Sequence, residues 1–191
     1  MSKMNERRKG LCLLAVACFV WAGAANAQKA KKPAEWKVAG TKSGFVTTAD
    51  GIKIRYLEAG QITDNTRLVM HPDERVRKAL GPKPAMLLVP GWTMPAEIWE
   101  EQIQHFSSMT RVVAMDPRGQ GKSSKPDEGY HPKTRARDMH DVVTQLKLEP
   151  VVLVGWSMGV MEVASYVGEF GTQGIAGIVL VDGLAGADFP P

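Results

Sequence analysis

Short apolar runs alternate with amphipathic segments along the chain from residue 43 onward. Residues 44–48 and 52–57 predict two strands, joined by a turn that has glycine at its tight position. Four later runs lack polar alternation, which is typical of parallel strands covered on both faces. These runs are residues 85–89, 111–115, 151–154 and 178–181. The order of elements predicts an α/β fold, with a largely parallel sheet flanked by helices.

Two segments carry apolar stripes at the spacing of a helix face. The first stripe precedes the strand at 151–154 and consists of Met139, Val142, Val143 and Leu146. The second follows that strand and consists of Val160, Val163, Ala164 and Val167. Gly171 is expected to end the second helix. We interpret both stripes as surfaces that pack on the core.

Residues 61–84 form a long charged insert between the second and third predicted strands. Asp73 is expected to cap a short helix that runs to Leu80. His71, Asp73 and Glu74 stand close together in the sequence, but their spacing matches no metal-ligand pattern. We interpret the insert as a solvated excursion and predict no metal site.

Residues 1–27 have the organisation of a secretory signal peptide. Basic residues precede an apolar run at 11–22, and Ala25-Asn26-Ala27 provides the small residues of a cleavage site. The run is shorter than the about 20 residues that span a bilayer, so a membrane anchor is disfavoured. Lipidation at Cys18 ranks below simple export, because Ala15 is a poor match three residues before it. We expect an exported protein, periplasmic or extracellular, with no stable membrane anchor after cleavage.

Removal of that segment changes what the composition implies. Residues 1–27 contain four Lys/Arg residues and one Glu, so the net charge falls from +4 to +1. Such a balance gives no reason to expect a nucleic-acid partner. Both cysteines, Cys12 and Cys18, are removed as well, which excludes disulfides and cysteine catalysis in the exported protein. Residues 28–42 are predicted to be a flexible leader, and residues 43–191 the folded domain.

The segment Gly155-Trp156-Ser157-Met158-Gly159 matches G-x-S-x-G between a predicted strand and a predicted helix. That context is typical of a nucleophile elbow, whose sharp turn raises the serine hydroxyl above the sheet. Side chains at Gly155 and Gly159 are expected to collide with neighbouring backbone. Ser157 is therefore the candidate catalytic nucleophile, and the helix after it favours developing negative charge. A chance match of the pentapeptide is the alternative, and the flanking elements disfavour it.

Pro90-Gly91-Trp92-Thr93 directly follows the strand at 85–89. In an elbow architecture two backbone N–H groups hold the oxyanion, one after the nucleophile and one in the loop after this strand. Met158 and Trp92 are the candidate donors, and Gly91 allows the backbone to approach. Taken alone, this segment is only a turn.

Residues 116–124 have the sequence DPRGQGKSS. Their Gly121-Lys122-Ser123 resembles the end of a phosphate-binding loop. That motif requires a glycine where Asp116 stands and a helix directly after it, and neither condition holds. We interpret the segment as a structured turn near the active site.

Together, PGW, DPRGQGKSS and GWSMG resemble the α/β-hydrolase superfamily, nearest to its esterases and cofactor-free haloperoxidase-like (perhydrolase) members. The resemblance covers residues 43–191. It implies an eight-stranded, mostly parallel sheet, a Ser–acid–His triad in that chain order and no cofactor. Many members have His where Pro90 stands, which leaves the detail of the oxyanion loop open.

The acid and histidine of such a triad should follow Ser157, whereas all four histidines precede it: His71, His105, His131 and His140. His131 as general base and Asp182 as triad acid are both disfavoured. The apolar run at 178–181 resembles an interior strand whose outer edge nothing later covers. We therefore expect a truncated frame or fragment, a partial α/β-hydrolase fold that lacks the last strands and the cap.

The intact enzyme is expected to hydrolyse small or medium esters through an acyl-enzyme on Ser157, or to transfer the acyl group to peroxide. Haloalkane dehalogenation is disfavoured because it requires a carboxylate nucleophile. Activity of this chain is expected to be impaired. The alternatives are a non-catalytic truncated hydrolase-like protein, a ligand-binding module, and an oligomer that borrows the missing strands from another chain. A small ester-like molecule is the expected partner, and the oligomeric state stays open.

Overall fold

A computed structural model describes residues 40–61 and 83–183 of the 191-residue chain. The predicted signal peptide, most of the predicted leader and the short helix predicted after Asp73 lie outside these residues. Strand β1 (Lys42–Thr47) begins at the last residue of the predicted leader. It forms an antiparallel hairpin with β2 (Lys53–Ala59), with Gly51 at a positive φ of 82° in the turn.

The other strands are β3 (Ala85–Val89), β4 (Val112–Met115), β5 (Val151–Trp156) and β6 (Ile175–Val181). They join the hairpin in one sheet with the order β1-β2-β4-β3-β5-β6. Strand β2 pairs antiparallel with β4, and the pairs β4–β3, β3–β5 and β5–β6 are parallel. This confirms the mostly parallel α/β sheet. The carboxyl ends of β3 and β5 lie side by side, because Val89 is in register with Gly155.

In the described part of the chain, three α-helices and one 3₁₀ turn flank the sheet. The 3₁₀ turn (Ala96–Trp99) leads directly into α1 (Glu100–Phe106), and these two follow β3. Helix α2 (Pro132–Gln145) precedes β5, and α3 (Met158–Phe170) follows it. Gly171 ends α3 as predicted, with φ 73° and its N–H bonded to the carbonyl of Val167.

The alternation of side chains along each strand divides the core between the two faces of the sheet. On one face, Leu87 and Leu153 pack with Met139 and Val142 of α2 and Val163 of α3. The opposite face packs on the 3₁₀ turn and α1, through Leu88, Val112, Val154, Ala96 and Ile103. The sheet is thus covered on both sides at β3, β4 and β5, as their continuous apolar runs predict.

The solvent exposure of strand β6 differs from what its apolar sequence predicts. Its last four residues were expected to be covered on both faces, yet Ile178, Val179, Leu180 and Val181 are 41–45% exposed. In the described part of the chain β6 pairs only with β5 and forms the edge of the sheet. No helix among residues 40–61 and 83–183 is long and apolar enough to cross a membrane.

Candidate active site

Ser157 occupies the junction between β5 and α3. Its backbone has φ 53° and ψ −117°, a conformation that L-residues with a side chain rarely adopt. The Ser157 N–H donates to the carbonyl of Val181 at 2.9 Å, and its own carbonyl accepts from the Val160 N–H at 3.0 Å. The neighbouring strand and the first helical turn therefore hold the strained residue in place, as expected where strain accompanies function.

The glycines on either side of Ser157 are required by close approach of backbone. A Cβ on Gly155 would lie 2.5 Å from the carbonyl oxygen of Gly159. A Cβ on Gly159 would clash with the carbonyl oxygen of Val89 and lie 3.0 Å from that of Pro90. The first turn of α3 therefore presses against the end of β3, which brings the elbow beside the loop after β3.

The loop that follows β3 passes directly over Ser157. A Cβ on Gly91 would lie 3.0 Å from the Ser157 Cβ and 3.4 Å from its Oγ. The loop turns tightly, since the Met94 N–H bonds to the carbonyl of Gly91 at 3.3 Å. Trp92 is 71% exposed, so its indole makes no part of the core. The structure thus brings the PGW segment and the serine together at one edge of the sheet.

Trp92 follows Gly91 in the loop after β3, and Met158 follows Ser157 at the start of α3. Met158 is the first residue of α3, so its N–H has no acceptor within the helix. Its helix dipole favours negative charge at the same place. The arrangement is suited to an oxyanion hole, and the roles of Ser157, Trp92 and Met158 stay predictions.

The turn at 116–124 is organised around the buried carboxylate of Asp116. Its Oδ1 accepts the Ala96 N–H at 2.5 Å and its Oδ2 accepts the Lys122 N–H at 2.8 Å. A Cβ on Gly121 would clash with this carboxylate, which explains the glycine and its φ of 50°. The Ser123 hydroxyl closes the turn by donating to the Asp116 carbonyl at 2.6 Å. The carboxylate thus joins the turn to the 3₁₀ turn after β3, and it also pairs with Arg55 of β2 at 3.3 Å.

The same turn also contacts the loop over Ser157. The side-chain oxygen of Gln120 accepts the N–H of Thr93, and Gln120 itself is only 5% exposed. Thr93 has a positive φ of 64°. The turn and the loop therefore form one hydrogen-bonded unit above the carboxyl ends of β3 and β4.

Two buried ion pairs involve side chains of helix α2. Arg118 donates to both oxygens of Asp138 at 2.6 and 2.5 Å, which joins the turn to α2. Burial raises the pKa of Asp138 even though the Arg118 guanidinium acts to lower it. Arg135 of α2 donates to Glu162 of α3 at 2.7 Å. Burial raises the pKa of Glu162 to about 7, against the lowering effect of Arg135.

The described histidines are dispersed. His105 lies in the last turn of α1, and His131 is exposed at the start of α2. His140 stacks on Phe170, with ring centroids 4.2 Å apart, at the end of α3 that is remote from Ser157. Asp182 follows β6 with a φ of 48°. Among residues 40–61 and 83–183, no imidazole or carboxylate hydrogen-bonds to the Ser157 hydroxyl.

Sequence reasoning missed two residues that make buried polar contacts. Gln120 stood inside a recognised turn, but nothing in its spacing indicated a contact with Thr93, 27 positions away. Glu162 stood between two apolar positions of the α3 stripe, Val160 and Val163. A carboxylate in such a stripe is the one available signal of a buried charge, since charged residues are rarely buried without a partner.

A sequence model of the alpha/beta hydrolase fold family matches residues 84–190, which is more than half of the chain. The chain therefore belongs to the α/β-hydrolase family. The match includes the loop after β3, the turn at 116–124 and the elbow, the segments that the geometry brings together.

Individual proteins agree with that assignment. The chain is 32% identical over 139 residues to a non-heme chloroperoxidase of Kitasatospora aureofaciens, covering 72% of this chain and 43% of that protein. It is 31% identical over 144 residues to a bifunctional esterase/perhydrolase of Acinetobacter calcoaceticus, covering 74% and 45%. The chain thus spans less than half the length of these curated relatives.

Solved structures show the same partial overlap. A bromoperoxidase from Bacillus anthracis superimposes with a TM-score of 0.59 at 31% identity, over 73% of this chain and 44% of that one. An esterase from Exiguobacterium antarcticum superimposes with a TM-score of 0.63 at 26% identity, over 78% and 48%. The described residues thus have a partial α/β-hydrolase fold.

Proposed function

We propose that this chain carries the nucleophile and oxyanion side of a serine hydrolase that acts on small or medium carboxylic esters. The observation that carries the proposal is the strained Ser157 backbone, set at φ 53° under a loop whose Gly91 leaves room for only the bare backbone. The activities named for the Acinetobacter esterase/perhydrolase and the Exiguobacterium esterase support an ester as substrate and water or peroxide as acyl acceptor.

In the proposed reaction Ser157 Oγ attacks the ester carbonyl carbon while a general base takes the hydroxyl proton. The carbonyl oxygen becomes an oxyanion that accepts hydrogen bonds from the Trp92 and Met158 N–H groups. Collapse breaks the ester C–O bond, and the base returns the proton to the leaving alkoxide. Water then attacks the acyl-enzyme, releases the acid and restores the Ser157 hydroxyl.

The described residues supply no partner for the Ser157 proton, so the base comes from outside them, in this polypeptide or another chain. If no such base is supplied, we expect only the residual rate that binding and oxyanion stabilisation provide. That rate is several orders below that of a complete triad. A ligand-binding module remains the second candidate, favoured by the same unpartnered hydroxyl.

The deciding experiment is covalent labelling by a fluorophosphonate, read by intact mass and peptide mapping. Turnover of a short-chain nitrophenyl ester is measured alongside. We expect slow, single-site labelling of Ser157 that is abolished in Ser157→Ala. Ser165→Ala is the matched control, because Ser165 lies two turns further along α3 and should leave labelling unchanged. Equal labelling of Ser157→Ala and the parent chain would reject the nucleophile and favour the binding module.

A further inference from the structure

The loop that passes over Ser157 is fixed to the 116–124 turn at two points. Gln120 accepts the N–H of Thr93, and the Asp116 carboxylate accepts the N–H of Ala96 at 2.5 Å. The first attachment lies one residue after Trp92 and the second lies four residues after it. Of the two, the Gln120 contact is therefore the one able to set the orientation of the Trp92 backbone.

Thr93 needs such a restraint. It is β-branched, and a positive φ of 64° is an outlier for a residue of that shape. Its side chain is exposed, so core packing does not impose the conformation. Its N–H, by contrast, donates to the side chain of Gln120, a residue that is only 5% exposed. This hydrogen bond and the Met94-to-Gly91 bond that closes the turn are the contacts that hold Thr93 in this conformation.

The amide nitrogen of Gln120 supports the same conclusion. This nitrogen, Nε2, is buried and has no hydrogen-bond partner among the described residues. A buried donor without a partner destabilises a fold, and each such group in a native structure needs an explanation. The contact that the described residues give this amide is therefore the one between its oxygen and the Thr93 N–H.

We propose that Gln120 is a positioning residue of the active site, whose side-chain oxygen holds the Thr93 N–H and thereby keeps the Trp92 N–H directed at Ser157. The proposal rests on the proposed function of Trp92 as an oxyanion donor. Gln120 touches no reacting atom itself. It acts through the loop, as the residues that support a catalytic constellation do.

The test compares Gln120→Met, which keeps the length and removes the acceptor, with Gln120→Glu, which keeps an acceptor oxygen. Gln102→Met, at an exposed position of α1, is the matched control. Amide hydrogen exchange at Thr93, followed by NMR, reports the contact directly. The maximal rate of Ser157 phosphonylation and the reagent concentration at half-maximal rate report its consequence.

We expect the Thr93 amide of the parent chain to exchange slowly although the residue is exposed. In Gln120→Met this amide should exchange at least about tenfold faster. The maximal labelling rate should fall about tenfold, which is a smaller loss than the about 10²–10³ for a missing oxyanion donor. The half-maximal reagent concentration should stay within about twofold, and Gln120→Glu should restore Thr93 protection. Thr93→Gly in the Gln120→Met background should recover part of the rate, because glycine adopts a positive φ without help.

An unprotected Thr93 amide in the parent chain would overturn the proposal, even if Gln120→Met fails to fold. So would faster exchange in Gln120→Met with an unchanged labelling rate. Failure of the proposed function gives a different result, namely no labelling of Ser157 in the parent chain. Without labelling there is no oxyanion chemistry for Gln120 to serve, so that result overturns its positioning role, and Thr93 exchange then reports only a structural contact.

Discussion

The backbone of Gly91 lies against the side chain of Ser157, so closely that a methyl group on Gly91 would be 3.0 Å from the serine Cβ. The same methyl would be 3.4 Å from the hydroxyl oxygen. The loop and the elbow are thus fitted to each other at the distance of bare backbone. This contact joins the candidate nucleophile to the loop that contains Trp92, a candidate oxyanion donor.

Gly91→Ala should therefore impair the chemistry more than the fold. The added methyl must displace the loop or the serine by a few tenths of an ångström, and a 1 Å misplacement in an active site costs about 10²-fold in rate. We expect labelling of Ser157 by a fluorophosphonate to slow about tenfold. The free energy of unfolding in urea should change by less than about 1 kcal/mol, the typical size of a point-mutation effect.

Gly168→Ala is the control for that substitution. Gly168 lies in α3 with no atom within 4 Å of its added Cβ and without a positive φ. Alanine should stabilise the helix there by roughly 0.5–1 kcal/mol and leave labelling unchanged. If Gly91→Ala labelled at the parental rate, the close fit of loop and nucleophile would not matter to the reaction.

Gly159→Ala should mainly affect stability. Its Cβ would clash with the Val89 carbonyl oxygen, which belongs to a central strand and cannot rotate away. Overpacking of this kind costs about 1–3 kcal/mol. We expect a loss at the upper end of that range by urea unfolding, against a small gain for Gly168→Ala in the same helix. A neutral Gly159→Ala would mean that α3 can move away from β3 freely.

The positions of these glycines show why the elbow was predictable from sequence. G-x-S-x-G is a local motif, and the strand before it and the helix after it are local signals as well. Strand β3 was found at its predicted residues for the same reason. Strand β6 begins three residues before the predicted run, because pairing of Ile175 with Val151 extends the ladder across Gly177. Its exposure depends on what packs beside it, which no local pattern contains.

Contacts between distant polar side chains were not predictable. The Gln120–Thr93 and Arg135–Glu162 pairs each join residues 27 positions apart, and no spacing rule selects either partner. The Asp116 segment was interpreted as a structured turn after it failed the requirements of a phosphate-binding loop. Its role as an anchor for the loop over Ser157 required knowledge of how β3 and β4 pair.

The Arg118–Asp138 pair provides a prediction about stability. Both groups are buried, with side-chain exposures of 3% and 2%. Asp138→Asn should destabilise the fold by about 3 kcal/mol, because it leaves Arg118 with Asp50 as its remaining carboxylate partner. Arg137→Gln is the control, since its 3.8 Å contact with Glu169 is exposed and worth less than about 1 kcal/mol. Equal losses in the two variants would contradict the assignment of a buried charge pair.

Glu162 should make stability depend on pH in an unusual direction. Burial raises its pKa to about 7 in the folded state from an ordinary value of 4.5, despite Arg135, and Asp138 raises it further. Between these values the folded chain binds more protons at this site than the unfolded chain. The contribution to stability is therefore fully present below pH 4.5 and is lost as the pH rises to 7, by about 3 kcal/mol. Above pH 7 this group causes no further change.

The measurement is urea unfolding of the parent chain and Glu162→Gln across pH 4 to 8. The variant cannot titrate at position 162, so its stability relative to the parent should increase with pH through that window. Ser165→Ala, which changes no titratable group of the same helix, should show a constant difference. A constant difference for Glu162→Gln as well would mean that Glu162 has the same pKa in the folded and unfolded chains, so that the pairing with Arg135 offsets the effect of burial.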